Sequence, residues 1–172
     1  MIFATKRLAK ELSKIQEKLS PGIELVSTGD GFVEWFIDIK VLDQNPIYIG
    51  ETYRLKFKFT PSYPIGTWPR PLPVSISRCN DSAEPPEVTF VSLPDRPIPM
   101  HPHIYSNGII CLDLLAKQGW TPVHNVESIC ISLQSMLTGN TKNERPEGDE
   151  HFVATNRRRP REIDFMFHDS NV

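Results

Sequence analysis

A single thiol, Cys111, stands three residues after an Asn107-Gly108 pair and eight and ten residues after His103 and His101, in the run HPHIYSNGIICLDLL at 101–115. An Asn-Gly pair places a tight turn at the surface and lets the backbone take φ > 0. Imidazole and backbone N–H groups are among the few neighbours that stabilise a thiolate. The spacing therefore predicts a reactive thiol rather than a structural one. A thiol suits acyl transfer because it attacks an activated carboxyl derivative and then leaves readily, its pKa being about 8.5 against ~10.4 for a lysine amine.

Two other chemistries use the same residue types. A cysteine hydrolase would pair Cys111 with His103 or His101, but it also needs a third group to orient the imidazole and an ordered oxyanion hole, and the sequence identifies neither. A zinc site from His101, His103 and Cys111 lacks a fourth ligand at familiar spacing. The remaining cysteines are expected to do no chemistry. Cys79 lies in a proline-rich stretch and Cys130 on an apolar helical stripe, where it serves as a small core residue.

The ordered run His101-Pro102-His103, Asn107-Gly108, Ile110-Cys111-Leu112 resembles the active-site signature of ubiquitin-conjugating enzymes, in which His-Pro-Asn precedes an Asn-Gly turn and an Ile-Cys-Leu nucleophile. His103 replaces the usual Asn. That departure is similar to the W-type branch, whose members transfer ubiquitin to protein N-termini, and the resemblance extends over most of the chain. It implies an α+β ubiquitin-conjugating-enzyme fold: an N-terminal helix, a four-stranded antiparallel meander, a central helix and a C-terminal helical segment.

The resemblance also implies roles. Cys111 would accept the ubiquitin C-terminus as a thioester, and an amine would then displace it. His103 stands where the family Asn stabilises the oxyanion or orders the loop, and an imidazole can donate such a hydrogen bond. Asn107 forms the turn before the nucleophile. Asp113 matches a position near the acceptor channel where a carboxylate can hold an incoming amine, or it caps the short turn after the nucleophile. The W-type pattern more often lacks this carboxylate. His101 suits a hydrogen-bonded loop anchor better than a base. Asp149 and Glu150 lie where some members place an acidic residue beside the thiol, in a loosely matching stretch. Trp120-Thr121-Pro122-Val123 resembles the Trp-Ser-Pro-Ala loop that meets ligases, with Trp120 wedged in the core.

An α-amine is neutral near pH 7 roughly 300 times more often than a lysine, so it needs less help with deprotonation. An α-amine acceptor thus fits a site without the Asn. The implied partners are ubiquitin, its activating enzyme, a RING or U-box ligase and protein substrates. No metal or organic cofactor belongs to the transfer step, and ATP is used upstream by the activating enzyme. The alternatives are a catalytically silent ubiquitin-binding variant of the fold, which would lack the nucleophile, and a conjugating enzyme acting mainly on lysine.

Several elements must position these residues. Leu8, Leu12, Ile15 and Leu19 recur at steps of four, three and four, giving a helix that ends before Ser20-Pro21-Gly22, while Lys6, Arg7, Lys10 and Lys14 make its other face basic. In the family this helix supplies docking surface for the activating enzyme. From Ile23 to Val91 the period falls to two. Val33, Trp35, Ile37, Ile39 and Val41 alternate with Glu34, Asp38 and Lys40, and then Tyr53, Leu55, Phe57 and Phe59 with Arg54, Lys56 and Lys58, as in half-buried strands. Gly31 and Asn45-Pro46 suit short connections, with strands at Ile23 to Val26 and Val88 to Val91 completing the meander. Val126, Ile129, Cys130, Leu133, Met136 and Leu137 predict a covering helix, with Asn125 as N-cap and Gly139 as stop.

The domain reading is a catalytic core over 1–160 with a proline-rich insertion at about 65–86, followed by a tail at 161–172. Little regular structure fits the insertion. The tail region joins Arg157, Arg158, Arg159 and Arg161 to Phe165-Met166-Phe167, and its His168-Asp169 ending is similar to that of W-type enzymes. At 172 residues and a formal net charge of −2 the chain is one domain with no general reason to bind nucleic acid. No apolar leader or run of membrane-spanning length is present, and three cysteines suggest reduced thiols. The expectation is a soluble protein of cytoplasm or nucleus, with no membrane partner.

Overall fold

The stretches of alternating polarity do form one sheet. The computed structural model describes residues 2–29, 32–66 and 84–163. Within them β1 (Ile23–Thr28), β2 (Glu34–Ile39), β3 (Tyr53–Lys58) and β4 (Glu87–Val91) pair in chain order, each antiparallel to the next. Register sets Trp35, Ile37 and Ile39 opposite Phe57, Leu55 and Tyr53, and sets Leu55 and Phe57 opposite Phe90 and Val88. All of these are buried, as a one-sided sheet under a helix requires. On the other face Asp38 is gripped by Arg54 and Arg96. Burial alone would raise its pKa, but the two guanidinium groups outweigh that and hold it below the ordinary value.

Helix α1 (Ile2–Glu17) buries Ala4, Leu8 and Ile15, and Leu12 is partly covered. Leu19 packs on the core from beyond the helix end. The helix also buries Glu11, which the apolar stripe did not reveal. Its carboxylate accepts from Tyr63 Oη at 2.8 Å and the Val126 amide at 2.9 Å, and it pairs with Arg7. Arg7 further donates to the His124 carbonyl at 2.8 Å, so part of the expected solvated basic face is used internally.

Helix α2 (Val126–Thr138) covers the sheet with Val126, Ile129, Cys130, Leu133 and Leu137 fully buried, as expected. Asn125 is its N-cap: Oδ1 accepts the Ser128 amide at 2.9 Å and Ser128 Oγ accepts the Asn125 amide at 3.0 Å. Gly139 does follow the last turn, but at φ −76° rather than in the left-handed region. The helix-end carbonyls are met instead by Asn45, whose Nδ2 reaches Leu137, Thr138 and Asn140.

A short helix, α3 (Asp149–Thr155), and a 3-10 turn at Pro160–Glu162 follow. Arg161 reaches back to Glu84 and Glu87, and the Glu84 amide donates to the Pro64 carbonyl at 3.1 Å, so the two ends of the insertion meet. Most of the insertion, with Cys79, lies outside the described residues. So does the tail from 164, with Phe165, Met166, Phe167, His168 and Asp169.

Candidate active site

The segment after β4 turns back on the sheet. Thr89 and Ile109 form an isolated antiparallel bridge, and the Phe90 amide donates to the Gly108 carbonyl at 2.9 Å. Gly108 sits at φ +87°, and a Cβ there would fall 2.0 Å from the Phe90 carbonyl oxygen. Only glycine fits both the conformation and the contact. Asn107 Oδ1 accepts the Ile109 amide at 3.1 Å, closing the turn from its exposed side. The buried trio Ile104, Ile109 and Ile110 then anchors the loop in the core, with Ile104 bridged to Ile110.

This loop brings His101, His103 and Cys111 together. Buried His101 accepts the His103 amide on Nδ1 at 2.9 Å, and its ring donates to the Met136 carbonyl of α2. It is the loop anchor that the sequence suggested. Burial, then the proximity of His103, pushes its pKa down to about 4, so the ring is neutral at physiological pH. With Nδ1 on an amide and the ring's donor on a carbonyl, His101 has no free nitrogen to serve as base or metal ligand. His103 is exposed, its ring centroid 5.5 Å from that of His101. The backbone carbonyl of His103 accepts the Cys111 amide at 2.8 Å.

Cys111 is half-buried at the end of this turn. The expectation of a thiolate stabilised by imidazole is not met: burial pushes the Cys111 thiol up to about 11, and among the described residues no opposing interaction lowers it. An uncharged thiol is therefore the resting state, and deprotonation must accompany attack. Cys130 is wholly buried and raised further, as befits a core residue.

Residues the motif did not single out complete the surroundings. Tyr105 stacks on Phe152 with centroids 3.9 Å apart, and its hydroxyl pKa is raised by burial and then by the charges of Cys111 and Asp149. Asp149, at the start of α3, accepts the Ser106 amide on Oδ1 at 2.8 Å. Of the loosely placed acidic pair, Asp149 thus meets the nucleophile's loop, while Glu150 is exposed. A spacing of three between Asp149 and Phe152 puts both on one helical face, a signal too weak to read without knowing that α3 is a helix. Asp113 opens a 3-10 turn (Asp113–Leu115) rather than capping it, for Leu112 holds the cap position. Its exposed carboxylate lies over Gly119, where a Cβ would meet Oδ2 at 2.4 Å. Among the described residues no group of three or more His, Cys, Asp or Glu side chains is arranged to hold a metal.

Known proteins share both the sequence and the shape. The family model for ubiquitin-conjugating enzyme matches residues 82–165. The probable ubiquitin-conjugating enzyme E2 W of Dictyostelium discoideum is 37% identical over 168 residues, 97% of this chain and 96% of its own. The ubiquitin-conjugating enzyme E2 W of Caenorhabditis elegans is 35% identical over 98% of this chain and 97% of its own. The chain belongs to the ubiquitin-conjugating enzyme family, on its W-type branch. The crystal structure of the ubiquitin-conjugating enzyme UbcA1 from Agrocybe aegerita superposes with a TM-score of 0.76 at 37% identity, covering 92% of this chain and 99% of that one.

A ubiquitin-conjugating enzyme works with ubiquitin, an activating enzyme and a ligase, so faces beyond the thiol matter. Trp120 is fully buried and its Nε1 donates to the Pro64 carbonyl at 3.1 Å, leaving Thr121 to Val123 at the surface. Val123 is 86% exposed and Ile65, after Pro64, is 56% exposed. The buried Glu11 underlies this region, since it bonds Tyr63 just before Pro64 and the Val126 amide just after the loop. No helix among the described residues is long and apolar enough to cross a membrane.

Proposed function

We propose that this enzyme carries ubiquitin as a thioester on Cys111 and passes it to a substrate amine, with the N-terminal α-amine favoured and a RING or U-box ligase as the third partner. The reading rests on one observation: the half-buried thiol of Cys111 is held by its own amide to the carbonyl of His103, in a chain that belongs to the ubiquitin-conjugating enzymes. Charging is a thiol exchange. The Cys111 thiolate attacks the thioester carbonyl presented by the activating enzyme, whose cysteine leaves as a thiol once it takes up a proton. In discharge a neutral amine attacks the same carbonyl, the C–S bond breaks, and the proton lost by the amine returns to Cys111.

The side chains have separable parts in that scheme. His103 is exposed beside the nucleophile's loop and can donate to the developing oxyanion, the part the family Asn plays by position. Asn107 keeps the turn closed through the Ile109 amide. Asp149 and Tyr105 border the acceptor side, and Asp113, exposed two residues past the thiol, can attract a cationic amine to its vicinity. The α-amine preference draws on the W-type likeness, on His103, and on the larger neutral fraction of an α-amine near pH 7. No resident cofactor is required, ATP being consumed upstream, and the site of action is the cytoplasm or nucleus.

Incubation with activating enzyme, ATP and ubiquitin tests this directly. The expected product is a thiol-sensitive adduct that is lost in Cys111→Ala and becomes thiol-resistant in Cys111→Ser. Discharge is then compared on peptides with open and acetylated N-termini and on free lysine. Equal use of both peptides would defeat the α-amine preference, and no adduct would favour a silent binding protein.

A further inference from the structure

A guanidinium normally pairs with carboxylates or is left to water, whereas Arg145 spends its donors on the backbone. Half-buried, it forms no ion pair among the described residues and donates to three backbone carbonyls: Nη1 to Pro99 at 2.6 Å and Ile104 at 3.1 Å, Nη2 to Ile98 at 3.0 Å. Burial lowers its pKa, and Asp149 and Tyr48 only partly offset that. Even half-buried, a cation on neutral acceptors is costly unless its geometry serves a purpose.

The three carbonyls fall on both sides of the His101-Pro102-His103 turn. Ile98 and Pro99 precede it and Ile104 follows it, so one planar fork staples the two ends of the turn together. The intervening carbonyl of Met100 is taken by Tyr48 Oη at 2.6 Å, and Tyr48 is itself bonded to Asn140. The loop that carries His103, and through its carbonyl Cys111, is thus held from outside by chain that follows α2.

Four residues on, the same segment touches the loop again, through Asp149 Oδ1 on the Ser106 amide. Between the two contacts the chain has little freedom. Pro146 fixes one φ and accepts the Asp149 amide at 3.2 Å, and Gly148 turns at φ +74°. Residues 145–149 therefore form a two-point clamp on residues 98–106. The clamp ties the base of the loop that bears His103 and Asn107 to the start of α3.

We infer that Arg145 is a positioning residue for discharge: it fixes the width of the acceptor side of the site, so that an amine is oriented against the Cys111 thioester. The inference rests on the thioester reading above. Charging depends chiefly on access of the Cys111 thiol to a thioester held by another protein. Discharge needs a small free amine oriented against the loop that the clamp holds, and misplacement by about 1 Å costs an enzyme up to ~100-fold in rate.

The test compares wild type with Arg145→Gln and Arg145→Lys. Charging by the activating enzyme is measured first, and then single-turnover discharge of the loaded enzyme over a range of peptide α-amine concentrations. Arg145→Gln is expected to charge within about twofold of wild type, to discharge about tenfold more slowly at saturating amine, and to keep its apparent KM. Lysine has one donor point in place of a fork, so Arg145→Lys is expected to fall between the two and covers the case in which the glutamine variant does not fold. Amide exchange at Ser106 and Cys111 should quicken in the variants while exchange in α2 stays unchanged. Wild-type discharge in the variants, or charging and discharge that fall together in step with a lowered Tm, would overturn the role of Arg145. A wild-type enzyme that never charges would overturn the thioester reading instead.

Discussion

The Cys111 amide donates to the His103 carbonyl, not to its ring, so the residue that departs from the family motif holds the nucleophile through an atom every amino acid has. Identity at position 103 is thereby free to change the chemistry without displacing the thiol.

His103→Ala is therefore expected to keep charging within about twofold of wild type and to slow discharge by about tenfold. That is less than the 10²–10³ of a fully enclosed oxyanion donor, because the side chain is exposed to water. His103→Asn should restore most of the rate. Single-turnover discharge onto a peptide amine checks both variants, and His103→Ala discharging like wild type would remove the imidazole from the mechanism.

The thiol of Cys111 has its pKa pushed up to about 11 by burial. At pH 7 only about 1 in 10,000 molecules then carries the thiolate. Alkylation of the free enzyme by iodoacetamide should rise about tenfold per pH unit from pH 7 to pH 10. Mass mapping of the Cys111 peptide keeps Cys79 and Cys130 out of the reading. A plateau by pH 8 would show that some group stabilises the thiolate after all.

The residues differ in how far their sequence gave them away. The sheet was readable because Tyr53, Leu55 and Phe57 alternate with Arg54, Lys56 and Lys58, the period of a half-buried strand. The cap of α2 was readable because Asn125 directly precedes an apolar stripe. Glu11 and Arg145 were not. A charge turned to the interior is recognised by its partners, and those partners come from distant segments: Tyr63 and Val126 for buried Glu11, the carbonyls at 98, 99 and 104 for half-buried Arg145. Motif spacing located Cys111, His103 and Asn107 within a loop. It left out Tyr105 and Phe152, whose stacking depends on where α3 docks. It also misjudged the electrostatics of Cys111, because burial, not the nearness of a histidine in sequence, decides the shift.

Buried His101 sets an acid limit on the fold. Its folded pKa is about 4, below the ordinary 6.5, so between those values the unfolded chain binds a proton that the folded chain refuses. Stability should hold above pH 6.5, decline as the pH falls from 6.5 to 4, and gain no further penalty from this group below that, for a total of about 3 kcal/mol. Urea unfolding across that range measures it. His101→Gln, which has no proton to gain, should flatten this part of the profile while lowering stability at pH 7. An unchanged slope in the variant would assign the acid sensitivity to other groups.

Glu11 offers the sharpest test of how the partner-facing region is supported. One carboxylate joins α1 to Tyr63, to the first amide of α2 and to Arg7, which in turn holds the His124 carbonyl. Glu11→Ala leaves a buried hydroxyl, a buried amide and a guanidinium without their acceptor, and should cost about 3 kcal/mol in urea unfolding. Glu11→Gln keeps one acceptor oxygen and should cost about 1 kcal/mol. Both variants should keep alkylation of Cys111 at the wild-type rate, since the network meets the Tyr63 and Val126 side of the fold and not the loop at 98–111. They should weaken ligase-stimulated discharge more than discharge without a ligase, because Thr121 to Val123 lie between His124 and the buried Trp120. Equal losses with and without ligase would mean that Glu11 stabilises the fold without shaping that surface.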